Sequence, residues 1–164
     1  MYTLAAFLTR TPETLRQLGG ELPVVRLPQE CLMVPFVRAV RDLVQDRAEA
    51  HPDLDDLTAG WAALAERASA AGAIAFCQAD FFGGTGGQSS IVWRDGAVVL
   101  GPVHTFLGDG DNPPASAWPI NAALAELGVV AGGLDAFDTV RLGGRRRTER
   151  WLEHAEPSRP NGSA

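Results

Sequence analysis

The sequence predicts an α+β domain, a mainly antiparallel sheet with helices packed against it, and three observations carry that expectation. The stretch from Ala73 to Val103 contains three short apolar runs, Ala73–Phe81, Gln88–Trp93 and Ala97–Val103, joined by two turns. Asp95-Gly96 between the last two is a hairpin signal, because both residues tolerate the positive φ of a tight turn. The runs alternate only partly, which predicts a sheet covered on much of both faces.

The other elements follow in chain order. Tyr2–Leu8 reads as a strand, and Thr11-Pro12-Glu13 as a helix start with threonine as cap and proline at the first helical position. Gly19-Gly20 ends that helix. Leu22–Leu27 is punctuated by Pro23 and Pro28, which confines it to a sheet edge. Cys31–Val34 reads as extended. Pro35 opens a second helix with an apolar stripe of Phe36, Val37, Val40, Leu43, Val44 and Ala48, broken at His51-Pro52. Asp53 caps a third helix, in which Leu54, Leu57, Trp61, Leu64 and Ala68 recur at three-four spacing until Ala71-Gly72.

Beyond Val103, a loop dense in Gly, Asp, Asn and Pro runs to Trp118. Pro119 opens a helix carrying Ile120, Ala123, Leu124 and Leu127, with Gly128 at its end. Asp135–Leu142 reads as one more strand, and Thr148–Leu152 as the start of a short final helix. No internal repeat or long linker divides the chain. The expected organisation is a single domain over residues 1–155 and a polar, Pro/Gly/Ser-rich disordered tail over 156–164.

Composition narrows the function classes. A chain of 164 residues can bury a sizeable core, and 46% hydrophobic with 21% charged residues is ordinary for a globular protein. The net charge of −6 argues against general nucleic-acid binding and favours a soluble protein or a basic partner. All 14 positive side chains are arginine, as codon bias in a GC-rich bacterial genome produces. Cys31 and Cys77 stand far apart in apolar surroundings and read as buried free thiols in a reducing compartment. The N-terminus lacks the basic segment of a secretion signal, and no apolar run is long enough to span a membrane, so a cytoplasmic location is expected.

Two regions qualify as candidate sites. The first surrounds Gly83–Gly87. A phosphate cradle needs converging N–H groups at a helix start, whereas a strand pattern follows here and no Gly-Lys-Ser/Thr is present. Glycines between strands more simply supply positive φ and close backbone approach. Gln78 and Asp80 share one strand face by the period of two and, with Gln88, either line a polar pocket or form a solvent face beside Phe81 and Phe82, the simpler reading; Asp80, Gly84 and Gln88 mark where a pocket would lie. The second region is the acidic junction of Asp42, Asp46, Glu49, Asp53, Asp55 and Asp56. It is either a solvated face or a negative surface that steers a basic partner. Arg145-Arg146-Arg147 with Arg150 reads as a solvated face near the C-terminus or as an anion-binding cluster.

Chemistry-bearing constellations are lacking at sequence level. His51, His104 and His154 have no second His or Cys at metal-ligand spacing, Ser89 and Ser90 lack the Gly-x-Ser-x-Gly elbow, and both cysteines sit in apolar runs. No catalytic residue, cofactor or metal is therefore assigned.

The segment ADFFGGTGGQSSIVWRDGAVVLGP, with its acidic-aromatic-Gly-Gly loop, following glutamine and Trp-x-Asp-Gly hairpin, resembles small bacterial immunity proteins of polymorphic-toxin systems. The later Pro119–Leu124 and Leu142–Trp151 segments look similar to the C-terminal half of that pattern. The likeness implies a non-enzymatic protein that neutralises a cognate protein toxin by stoichiometric binding. The alternative is a small ligand-binding domain or enzyme using the Asp80–Gln88 loop.

Overall fold

The computed structural model describes residues 1–158. Seven strands form one sheet: β1 (Tyr2–Thr9), β2 (Pro23–Arg26), β3 (Leu32–Pro35), β4 (Ile74–Phe82), β5 (Thr85–Arg94), β6 (Ala97–Leu107) and β7 (Glu156–Pro157). Their order is β6-β5-β4-β1-β3-β2-β7, and every pairing is antiparallel. The helices are α1 (Pro12–Leu18), α2 (Arg38–Arg41), α3 (Ala59–Ala68), α4 (Pro119–Glu126) and α5 (Ala136–Thr139), with 3-10 turns at Ala115–Ala117, Leu142–Gly144 and Thr148–His154. No helix among the described residues is long and apolar enough to cross a membrane.

The sheet is covered on both faces, as its imperfect alternation predicts. From β1, Leu4, Ala6 and Leu8 enter one core with Ile120, Ala123 and Leu124 of α4 and with Val140, Leu142 and Trp151. Ala5 and Phe7 enter the other, with Leu15 and Leu18 of α1, Val40, and Trp61, Ala65 and Ala68 of α3. That second core is built around edge-to-face aromatic packing: Phe7 and Phe76 have ring centroids 5.0 Å apart, and Phe36 and Trp61 5.6 Å. Cys31 and Cys77 are free and fully buried, and burial pushes the Cys31 thiol up to about 12.

The central hairpins are tighter than the sequence indicates. Gly83 and Gly84 alone form the β4–β5 turn, with φ of 62° and 86°, and Thr85, Gly86 and Gly87 already belong to β5. Asp95 and Gly96, with φ of 52° and 77°, make the β5–β6 turn as expected. Strand β6 runs on through His104 to Leu107, so the expected loop begins later.

Two helical expectations and one strand expectation are corrected. The second helix is a single turn, Arg38–Arg41, and Leu43 is 63% exposed instead of lying on a buried stripe. The indole Nε1 of Trp61 donates to the Arg41 carbonyl at 3.0 Å, capping the helix from outside, and the chain then folds back so that Ala48 and Ala50 bond Ala59 and Leu57. The third helix starts at Ala59 with Thr58 as its cap, Thr58 Oγ1 accepting from Trp61 N at 3.4 Å; Asp53 caps nothing, and Leu54 and Leu57 are buried from an irregular segment. The 135–142 segment forms no strand: it holds the one-turn helix Ala136–Thr139, because Asp135 accepts from Asp138 N at 2.9 Å and buried Asn121 accepts from Phe137 N at 2.7 Å. Thr11 holds the cap position of α1 without a side-chain cap bond.

Residues 156–158, expected as part of the disordered tail, are instead bonded to the domain. Glu156–Pro157 pair with Val24 and Pro23 of β2, and Ser158 Oγ donates to the Gly20 carbonyl at 2.7 Å and accepts from Leu22 N at 2.9 Å. Residues 159–164 of the expected tail lie outside the described residues. A chain ending at Ala155 therefore loses these bonds, and its stability is expected to fall by about 1–2 kcal/mol, while one ending at Ser158 keeps them. Urea midpoints of the two truncations check this; equal midpoints would show that β7 contributes nothing.

Candidate functional site

Helix α3 and the segment before it cover only part of their face of the sheet. At the ends of β4, β5 and β6 near the Gly83-Gly84 turn, that face stays open as a cleft of about 460 Å³. Its lining can be derived from register. Gln78 pairs with Ser89 and Ser89 with His104, so these three side chains form one row; Asp80, Gly87 and Phe106 form the next. Gln78, Asp80, Gly87, Ser89 and His104 make the floor, and Pro52, Asp53, Asp55 and Asp56 make the wall.

Gln78 joins floor to wall. Its amide Nε2 donates to Asp55 Oδ1 at 2.6 Å and its Oε1 accepts from Asp56 N at 3.2 Å, so both ends of one amide pin the acidic segment against the sheet. Asp53 is placed by its neighbour, its backbone N donating to His51 Nδ1 at 3.1 Å. Ser89 Oγ and His104 Nδ1 lie 2.7 Å apart. In one tautomer Ser89 donates and Nε2 keeps its hydrogen; in the other Nδ1 donates and Nε2 is left as an acceptor. The imidazole lies over the bare Cα of Gly87, since a Cβ there would meet His104 Cε1 at 2.9 Å. Glycine at this place is what lets the cleft accommodate the ring.

The cleft is electrostatically negative. Asp53, Asp55 and Asp80 are exposed, while Asp56 is partly buried. Burial raises the Asp56 pKa above the ordinary 3.8, and the neighbouring Asp55 charge raises it further; Arg41 opposes the shift, and Asp80 and Glu149 add to it. A carboxyl whose pKa is higher folded than unfolded costs stability when ionised. The cost is complete above the folded pKa and vanishes as the pH falls through that value toward the unfolded one, near 3.8. Asp56→Asn is thus expected to raise the melting temperature at neutral pH and to leave it nearly unchanged near pH 3.8. A variant that melts lower at neutral pH would show that the Asp56 charge is favourable to the fold.

The residues singled out in the sequence divide clearly. Asp53, Asp55 and Asp56 from one region and Asp80 from the other meet in this single cleft. Asp42, Asp46 and Glu49 stay outside it: Asp42 pairs with Arg47 at 3.1 Å and Arg38 at 3.6 Å, Asp46 Oδ1 accepts from Ala48 N, and Glu49 is exposed beside its backbone bridge to Thr58. Gln88 faces the opposite side of the sheet, where its Oε1 accepts from Ile120 N at 3.2 Å, and Gly84 serves the turn. Of the arginine cluster, Arg150 pairs with Glu153 at 2.9 Å and Arg145 contacts His154, both on exposed surface.

Sequence reasoning puts Gln78 beside Asp80 on a face that could line a pocket, as the structure has it, but misses its bonds to Asp55 and Asp56 and the roles of Ser89 and His104. The Ser89–His104 pair is set by a register 15 residues apart, which the Asp95-Gly96 turn fixes only once the irregularity between Ser90 and Trp93 is known. No group of His, Cys, Asp or Glu among the described residues is arranged to hold a metal ion. No family, curated protein or solved structure matches this chain.

Proposed function

We propose that this protein acts by stoichiometric binding of a basic protein partner, as the resemblance to toxin-immunity proteins implies, and that the partner's cationic side chain enters the cleft between β4–β6 and the 52–56 segment. One observation carries this reading: Gln78 locks Asp55 and Asp56 beside Asp80, so that two acidic sets remote in sequence face one open space of about 460 Å³. Carboxylates held in place before a cation arrives gain attraction without ordering cost, and the overall charge of −6 adds long-range steering.

The test is co-expression with the product of the adjacent reading frame, scored by rescue of growth and by co-purification. If a complex forms, the triple change Asp55→Asn, Asp56→Asn, Asp80→Asn is expected to slow association about tenfold at low salt and less at high salt. Neutralising Asp42, Asp46 and Glu49, which carry similar charge outside the cleft, serves as the control and should leave most of the on-rate intact. Equal losses from both sets would reduce the effect to net charge and remove the cleft from the interface.

A second reading, a small-ligand site or an enzyme in the same cleft, is favoured by the 2.7 Å Ser89–His104 contact. Turnover of any substrate that disappears on Ser89→Ala with the fold retained would replace the binding reading.

A further inference from the structure

Beside the cleft, the same sheet face carries an uncovered apolar shelf. Phe82 and Phe106 are 77% and 68% exposed, the two most exposed aromatic side chains among the described residues. Single exposed apolar residues need no explanation, but these two stand on neighbouring rows of one face. Phe82 follows Asp80 by two residues on β4, and Phe106 lies across bare Gly87 from Asp80. Between them Thr85 pairs with Phe82 and donates its hydroxyl to the Phe82 carbonyl at 3.3 Å. Thr85 and Phe106 both approach the Cα of Gly108, each 3.4 Å from where a Cβ would stand, so the Phe106 ring lies on the Thr85 side of its row, toward Phe82. The shelf and the carboxylates are therefore one rung apart.

Resting on the cleft reading, we infer that this sheet face docks an extended segment of the basic partner in which an arginine and an apolar residue stand two positions apart, the arginine entering among Asp55, Asp56 and Asp80 and the apolar side chain covering Phe82 and Phe106. Charge complementarity selects the cation. A guanidinium spreads its donors in a planar fork that several carboxylates satisfy together, and it stacks on an aromatic face where an ammonium ion stays hydrated. The spacing comes from strand geometry: residues i and i+2 of an extended chain point to one side about 6–7 Å apart, the same repeat that separates Asp80 from Phe82. Arginine is also among the residues most enriched at interface hot spots. The partly buried carboxyl of Asp56, held beside other carboxylates, gains most from an incoming cation.

The test uses the full chain and four capped seven-residue peptides followed by amide chemical shifts at low salt. They are GSRSLSG, its glutamine-for-arginine and serine-for-leucine analogues, and GSSRLSG with the two residues adjacent. The expected result is that GSRSLSG binds about tenfold tighter than each of the other three, with shifts at residues 80–82 and 104–106. Phe82→Ser with Phe106→Ser, both at exposed positions, should abolish the leucine advantage and leave the arginine dependence. Equal binding of the leucine and serine peptides, with shifts confined to the cleft, overturns the inference while the cleft reading stands. Leucine-dependent binding without arginine dependence overturns both. Equal affinity of GSRSLSG and GSSRLSG overturns the spacing. Absence of any shift overturns the inference, and the co-purification experiment then decides the cleft reading separately.

Discussion

Trp61→Ala is expected to bring the protein close to its unfolding limit. Trp61 is 1% exposed, contacts the rings of Phe7 and Phe36 at 5.9 and 5.6 Å, and closes the core over Phe76. Truncating a buried aromatic side chain to alanine costs ~3–5 kcal/mol, from lost burial and from the cavity that remains. A second loss adds to it here, because the indole N–H donates to the Arg41 carbonyl at the end of α2, which then keeps only the longer bond from Val44 N at 3.3 Å. Losing that one hydrogen bond costs a further ~0.5–1.5 kcal/mol. Against a total stability of about 5–15 kcal/mol for a domain, the sum is a large fraction. Urea titration followed by far-UV circular dichroism gives the measurement. Trp61→Phe separates the parts, since it keeps most of the packing and removes only the indole donor. An alanine variant that unfolds at the wild-type midpoint would place this ring outside the core.

The same tryptophan shows why parts of the fold are legible in sequence and others are not. Trp61, Ala65 and Ala68 follow the helix period and are buried as that period requires. Leu54 and Leu57 fit the same spacing, and they are buried too, yet from a segment held by backbone bonds to Ala48 and Ala50 and by Gln78. Periodicity detects burial on one side; it does not distinguish a helix from a chain pinned by tertiary bonds. Asp135–Leu142 fails for a related reason. Its strand-like composition is overridden by the Asp135 cap and by Asn121, which lies 16 residues from the Phe137 amide it accepts from.

The candidate site is legible in its charges but not in its assembly. Asp53, Asp55, Asp56 and Asp80 stand out by composition, and the strand period correctly puts Gln78 and Asp80 on one face. What sequence does not carry is that a 23-residue separation between Asp55 and Gln78 closes into a 2.6 Å hydrogen bond. Gln88 is misplaced by a single position. Period two sends it to the α4 side, while its neighbour Ser89 takes the cleft side and meets His104. One residue of register thus decides which polar group belongs to the site.

The glycine stretch separates two jobs that composition merges, and the separation leads to the second large effect. Gly84 has φ of 86° and open space around its missing Cβ, so alanine there meets only the left-handed backbone penalty, about 1–2 kcal/mol. Gly86 sits opposite Phe81 in the ladder without a positive φ, and a Cβ would fall 2.0 Å from the Asp80 carbonyl oxygen and 2.6 Å from Phe81 Cα. Both obstacles are backbone of the partner strand, which cannot turn aside as a side chain does. Gly86→Ala is therefore expected to cost about 3 kcal/mol, the upper end for overpacking, because relief requires parting β4 from β5. The change also displaces Asp80, so the variant should show altered amide shifts at Asp80 and Gln78 even where it remains folded, whereas Gly84→Ala should leave both in place. Paired denaturation curves and amide spectra of the two variants decide the matter. If Gly84→Ala is the more destabilising, the turn conformation dominates and close approach at Gly86 is relieved by a shift too small to matter.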